Sequence, residues 1–229
     1  MKVRAVQTGI FQAGQDLCAF IKEHVSALSE GDVLIVASKI VALSQCRVLS
    51  KVGTDKNFLI KQESSRQFPI EPGLVLTYKD GHWCPNAGID ESNVADGYVL
   101  WPLNPMEVAW NIWNWLCSTY SMHSCGIVIT DSRVFPARQG VTAVALGYAG
   151  FKGLKDYRGQ SDLVGRPMKY TVVNVADSLA TAGAFLMGEG GESQPLAVIQ
   201  EAPLEFVYEQ GKEELVIDPA KDLFRILWA

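Results

Sequence analysis

Residues 125–132 read CGIVITDS, a short apolar, β-branched run that meets an acid and a hydroxyl without a turn residue between them. Such a run, too short for a helix and free of polar alternation, reads as a buried strand that ends at Asp131–Ser132. A second run of the same kind, GDVLIVASKIV (31–41), gives a turn followed by a buried strand reaching Ala37. These two segments are the natural centre of a sheet, and the rest of the chain can be placed around them.

Lys2 to Gln7 alternates like a strand, and Gly9 ends it. Asp16 to Leu28 places Leu17, Phe20, Ile21, Val25 and Leu28 at helical spacing, with Gly31 beyond the end. Residues 53–69 are polar and aperiodic, and read as an exposed loop with about one helical turn. LVLTY, KDG and HWC form a hairpin pattern turning at Lys79–Gly81. Asn104–Pro105 has the chemistry of an N-cap and first helical residue, opening a helix to about Tyr120. Trp110, Trp113 and Trp115 lie around its circumference, which points to burial between layers or at a subunit contact. VTAVALG and YTVVNVA are further strands, Asp177–Met187 a helix, PLAVIQ a strand and Asp218–Trp228 a last amphipathic helix. Strands and helices mix without a βαβ repeat, so the expected class is α+β, with mixed sheets and packed helices. Residues 1–229 are read as one domain made of two interleaved halves.

The chain has 229 residues, 48% of them hydrophobic and 20% charged, enough for a sizeable core. A net charge of −5 without a Lys/Arg cluster argues against a nucleic-acid surface. No run reaches transmembrane length and MKVRAVQTG is no signal peptide, so the cytoplasm is expected. The five cysteines lack a CxxC motif and read as reduced core thiols. The His82/Cys84 and His123/Cys125 pairs do not have the usual zinc spacing.

Three acids stand at the ends of expected elements beside small residues: Asp90 in NAGIDESNV, Asp131 in VITDS, and Glu189 in MGEGGES. Carboxylates with the Ser132 hydroxyl are the hard oxygen donors that Mg2+ or Mn2+ prefers. Gly188, Gly190 and Gly191 would let backbone N–H groups approach a phosphate. Each feature also has a plainer reading. Asp90–Asn93 could close an Asx turn, Asp131 could cap a turn, and the glycines could end the helix near Met187. DYRGQSD and Gly165–Arg166 could be surface turns with an Arg–Asp pair. Spacing alone does not bring these segments together.

Taken in order, GDVLIVASKIV, NAGIDESNV, VITD, Gly147-x-x-Gly150, DYRG, DLVGR, T-x-x-x-x-AD and MGEGG resemble the coenzyme F-420-0:L-glutamate (gamma-glutamyl) ligase family over roughly residues 1–200. The resemblance implies an intertwined α+β homodimer. It also implies a GTP- and divalent-metal-dependent amide ligase, which phosphorylates an acceptor carboxylate and lets the amine of L-glutamate displace the phosphate. By position, Asp90, Asp131 and Glu189 would be catalytic metal ligands, joined by Ser132. Ser38, Lys39, Asn93, Met187, Gly188, Gly190 and Gly191 would meet the nucleotide. Two Mg2+ or Mn2+ ions are implied, with K+ as an additional ion to consider and ATP as an alternative to GTP.

Some positions depart from the family pattern. Leu43 stands where a nucleotide-binding Lys is usual, and Lys39 lies one helical turn earlier. Val134–Phe135 replaces a Gly-Arg pair, leaving Arg133 and Arg138 as nearby cations. These changes leave the acceptor open. A deazaflavin of the F-420 type is the first expectation, a pteroate (folate-type ligation) the second, and an inactive nucleotide-binding homologue the third.

Overall fold

The two apolar runs lie side by side as parallel strands, Val33 opposite Gly126 and Ala37 opposite Thr130. A computed structural model describes residues 1–94, 96–210 and 214–228. The chain forms two compact units, Met1–Val48 with Val99–Gly211 and Leu49–Tyr98 with Lys212–Ala229. It opens with β1 (Lys2–Val6), α1 (Leu17–His24), β2 (Val33–Ala37), α2 (Ser38–Ser44) and β3 (Val48–Ser50). Next come α3 (Lys56–Gln62), β4 (Arg66–Glu71), β5 (Leu74–Lys79), β6 (His82–Pro85) and β7 (Gly97–Val99). Then follow α4 (Pro105–Tyr120), β8 (Gly126–Arg133), β9 (Thr142–Ala149), β10 (Leu154–Asp156), β11 (Val172–Asn174), α5 (Val175–Met187) and β12 (Leu196–Gln200).

The first unit is built on a five-stranded sheet in the order β1-β12-β2-β8-β9. Only β2–β8 is parallel; the other three pairings are antiparallel. This is the mixed α+β arrangement expected from the sequence. Val33 to Val36 of β2 and most of β8 are buried, which explains why neither alternates. Helix α5 touches every strand of the sheet, and it comes so close that a Cβ on Gly183 would meet the Ile35 side chain at 2.7 Å. Helix α4 packs on β8 and β9. Here Gly147 and Gly150 have a physical role: a Cβ at Gly147 would lie 2.2 Å from the Pro105 carbonyl oxygen, and one at Gly150 2.1 Å from that of Cys125. Trp113 is buried in this contact, its indole N–H donating to the Cys125 carbonyl at 2.9 Å, with Trp110 stacked on it at 4.8 Å. The chain's own core therefore accounts for Trp113.

The second unit carries the antiparallel sheet β4-β5-β6. The hairpin of β5 and β6 turns through Asp80–Gly81 as expected. Among the described residues no helix is long and apolar enough to cross a membrane.

Five expectations need correction. The first helix does not reach Leu28 but ends at His24, with Val25 as its C-cap. Residues 53–69 are not an open loop: Asp55 accepts from the Asn57 amide at 2.9 Å and starts α3, which buries Leu59 and Ile60, and β4 begins at Arg66. Two adjacent apolar residues are too few to show a period, and β4, exposed throughout with Pro69 inside it, is an edge strand that needs no alternation. β8 does not stop at Asp131 but runs to Arg133, paired with β9 past a bulge at Ile129–Thr130. The third strand shrinks to Val172–Asn174, because the Asn174 side chain accepts from the Asp177 amide and starts α5 two residues early. Finally, 218–228 is two separate 3-10 turns, Pro219–Lys221 and Arg225–Trp228. Asp222 is extended and its carboxylate accepts from the Phe224 amide, a local bond that competes with helix propagation.

Candidate active site

The parallel register decides the site. Because Ala37 lies opposite Thr130, the next residues along the chain, Ser38 at the start of α2 and Asp131 two residues before the end of β8, arrive together near the carboxyl ends of β2 and β8. In open sheets with parallel strands this is the edge where ligands bind. Ser38 is 5% exposed and its hydroxyl donates to Asp131 Oδ1 at 2.6 Å. The other oxygen, Oδ2, accepts from the indole N–H of Trp101 at 2.8 Å. Trp101 is itself buried, and the guanidinium of buried Arg133 lies 4.9 Å from its ring centroid. Each oxygen of Asp131 thus accepts from a side chain distant in sequence.

Arg133 also acts on Asp177. That carboxylate accepts from the Ala145 amide at 2.8 Å and from Asn174 Nδ2 at 2.7 Å, occupying an amide beside the β8–β9 bulge. Burial pushes its pKa up, against the lowering effect of these two bonds and of the Arg133 charge.

Ser132, exposed on β8, donates to Glu189, with its hydroxyl 2.8 and 2.6 Å from the two carboxylate oxygens. Glu189 follows α5 directly. Gly188 caps that helix at φ 81°, and its amide bonds to the Ala184 carbonyl. The glycines therefore do terminate a helix. They also present an amide to an anion, since Gly190 N–H donates to the Glu192 carboxylate at 2.7 Å. Met187 is buried at the helix end. On α2, Leu43 faces the core at 9% exposure, and Lys39, one turn earlier, is half-buried.

Asp90 and Asn93 belong to the second unit. Asn86, Ala87 and Gly88 have successive φ values of 50, 55 and 69°, and Asn86 Oδ1 and the Ala87 amide are tied to Val75 and Thr77 of β5. Asp90 accepts from the Ser92 amide at 2.7 Å and the Ser92 hydroxyl at 3.1 Å. Its local geometry is an Asx turn. Glu91 next to it pairs with Lys51 at 2.8 Å and with Lys56, and both ammonium groups hold its carboxyl below the usual range. The DYRG and DLVGR segments are self-capped turns. Asp156 takes a bidentate contact from Arg158, which lowers its pKa to about 2, and Asp162 accepts from the amides of Val164 and Arg166.

The structure brings together Ser38 with Asp131 and Ser132 with Glu189. Among the described residues no group of three or more His, Cys, Asp or Glu is gathered to hold an ion. In kind, the donors fit a hard dication: two carboxylates and a hydroxyl. Sequence reading did not anticipate Trp101. It ends the apolar run GYVLW, and no spacing rule connects position 101 to 131.

The family described as F420-0:gamma-glutamyl ligase matches residues 5–201. Similar relatives are named coenzyme F420:L-glutamate ligase. The one from Methanococcus maripaludis strain C6 is 33% identical, covering 86% of this chain and 86% of its own. Those from Archaeoglobus fulgidus and Methanopyrus kandleri are each 31% identical, covering 90% and 93% of this chain and 92% of theirs.

Proposed function

The chain belongs to the F420-0:gamma-glutamyl ligase family, and from that premise we propose that it is an amide-forming ligase that adds L-glutamate to a deazaflavin acceptor of the F420-0 type. The acceptor carboxylate attacks the terminal phosphorus of GTP, breaking the bond to the diphosphate. The glutamate amine then attacks the acyl carbon, expels inorganic phosphate and loses a proton as the amide forms. A bound Mg2+ or Mn2+ would neutralise phosphate oxygens and orient the attacking carboxylate. Asp131, Ser132 and Glu189 are the first unit's candidate ligands for such an ion, and Asp90 is that of the second. The Lys39 ammonium and the backbone amides of Gly188, Gly190 and Gly191 are suited to the phosphates, and the Ser38 hydroxyl holds Asp131 in place.

The observation that carries this reading is Asp131: a carboxylate on a rigid strand, at the carboxyl ends of parallel strands, bonded to the neutral donors Ser38 and Trp101. The relatives compared bear the F420 name, which favours a deazaflavin over a pteroate. The test is to supply both acceptors with L-glutamate, either GTP or ATP, and Mn2+, and follow mass. A gain of one glutamyl unit on the deazaflavin is expected. Glutamylation of the pteroate alone would overturn the acceptor, and turnover with ATP alone the nucleotide.

Homodimerisation belongs to the same proposal. Within the first unit Leu163, Val164, Tyr170 and Phe185 are each at least 72% exposed, a cost in water that a second copy would remove. Light scattering should give twice the chain mass, and Tyr170→Glu should shift it toward one.

A further inference from the structure

We propose that Trp101 is a positioning residue for Asp131. This rests on the reading of Asp131 as a dication ligand. A carboxylate that must meet an ion needs a fixed plane and its full charge. The donors found here are an indole N–H on Oδ2 and a serine hydroxyl on Oδ1, both neutral. Each occupies one direction on its oxygen and so fixes how the carboxylate is turned.

The indole has no freedom to do otherwise. Trp101 is 4% exposed and Arg133, also 4% exposed, lies against its ring at 4.9 Å, an arrangement that is favourable in itself and pins the ring orientation. Arg133 is two residues from Asp131 on the same strand, so β8 supplies both the carboxylate and the group that steadies its donor. Ser38 comes from the neighbouring strand end by register. Trp101, Arg133 and Ser38 thus all bear on the plane of Asp131.

Trp101→Phe keeps the ring against Arg133 and deletes the donor. Binding of Mn2+ alone, followed by equilibrium dialysis, should weaken about 10-fold or more, the scale for losing a group that orients a metal ligand. Ser38→Ala, removing the opposite donor, should weaken it similarly, with both proteins folded by circular dichroism. Wild-type affinity in a folded Trp101→Phe protein overturns the inference while leaving the metal reading intact. If the unsubstituted protein binds no Mn2+, the metal reading itself fails and the inference with it. Should Trp101→Phe not fold, the indole N–H resonance of the 15N-tryptophan-labelled wild-type protein decides: it must shift when Mg2+ binds, and a Trp101 signal that stays fixed at Mg2+ saturation overturns the proposal.

Discussion

Asp131 lies in a strand whose ladder fixes the backbone from Gly126 to Arg133, and both its oxygens are engaged by side chains distant in sequence, Ser38 and Trp101. Asp90 lies in a loop entered through three successive left-handed residues, and its oxygens are engaged by Ser92, two residues on. One acid accepts from side chains distant in sequence, and the other accepts from within its own turn. A bond made within a turn has a local explanation. An acid carried into a half-buried position by a strand, met there by a buried hydroxyl and a buried indole, has no such local explanation, and this is why Asp131 carries the functional reading.

Asn substitutions break that comparison most sharply, because Asn matches Asp in size and as a turn former. Asp131→Asn replaces the charged donor by a neutral amide that is poorly suited to a hard dication. Glutamyl transfer, measured by mass, should fall about 10²-fold or more, the scale for removing one electrostatic partner of a developing charge. The melting temperature should hold. Near-normal transfer by the folded variant removes Asp131 from the catalytic machinery. Asp90→Asn sharpens the contrast, since the amide oxygen can still accept from Ser92. The family resemblance gives Asp90 a ligand's role as well, so transfer should again fall about 10²-fold. Full activity would leave Asp90 as a turn former and nothing more.

The strand side of the comparison depends on β9 backing β8 at close range. Gly150 sits at φ 90° with no room for a Cβ beside the Cys125 carbonyl and Trp113. Gly150→Ala combines overpacking with a disfavoured backbone and should cost about 3 kcal/mol or more, lowering the melting temperature by about 6–12 °C at this size. A shift within 2 °C would show that the helix α4 contact yields easily and that the strand is less rigid than the Asp131 argument requires.

What the sequence made legible follows the same division. β2, β8 and β12 were plain because unbroken β-branched runs have one common explanation, and α4 because its start carries Asn104–Pro105. Yet Asn104 itself adopts φ 47° and makes no side-chain cap bond, so the right boundary had a different local cause. α3 and β4 were missed because seven residues with two buried positions show no period, and an exposed edge strand shows no alternation. Within the candidate site, Asp131 and Glu189 were legible as acids beside small residues. The Ser38–Asp131 contact was not, because it follows from a parallel register that only pairing across 93 residues creates. Trp101 had no signal at all, since an aromatic at the end of an apolar run reads as core whether or not its N–H has a partner.

The smallest expected effect tests the turn side of the comparison through Glu91, which follows Asp90. Its carboxylate pairs with Lys51 and Lys56, with side-chain exposures of 37, 37 and 28%. The two lysines lower the Glu91 pKa, and Glu91 in turn raises that of Lys51. The signs fix a pH window. A carboxylate with a depressed folded pKa adds stability above its unfolded value, about 4.3, and loses it as pH falls through the folded one. A lysine with a raised folded pKa adds stability below its unfolded value, about 10.4, and loses it as pH rises through the folded one. The contribution is thus flat through neutral pH and fades at both extremes. Because the pair is open to solvent, Glu91→Gln should lower the melting temperature by only about 1–2 °C at pH 7. Added salt should shrink the difference further, and near pH 3 it should vanish. If Glu91→Gln instead abolished transfer at pH 7 without changing stability, Glu91 would belong to the chemistry. The turn would then contribute a side chain to the chemistry as the strand does.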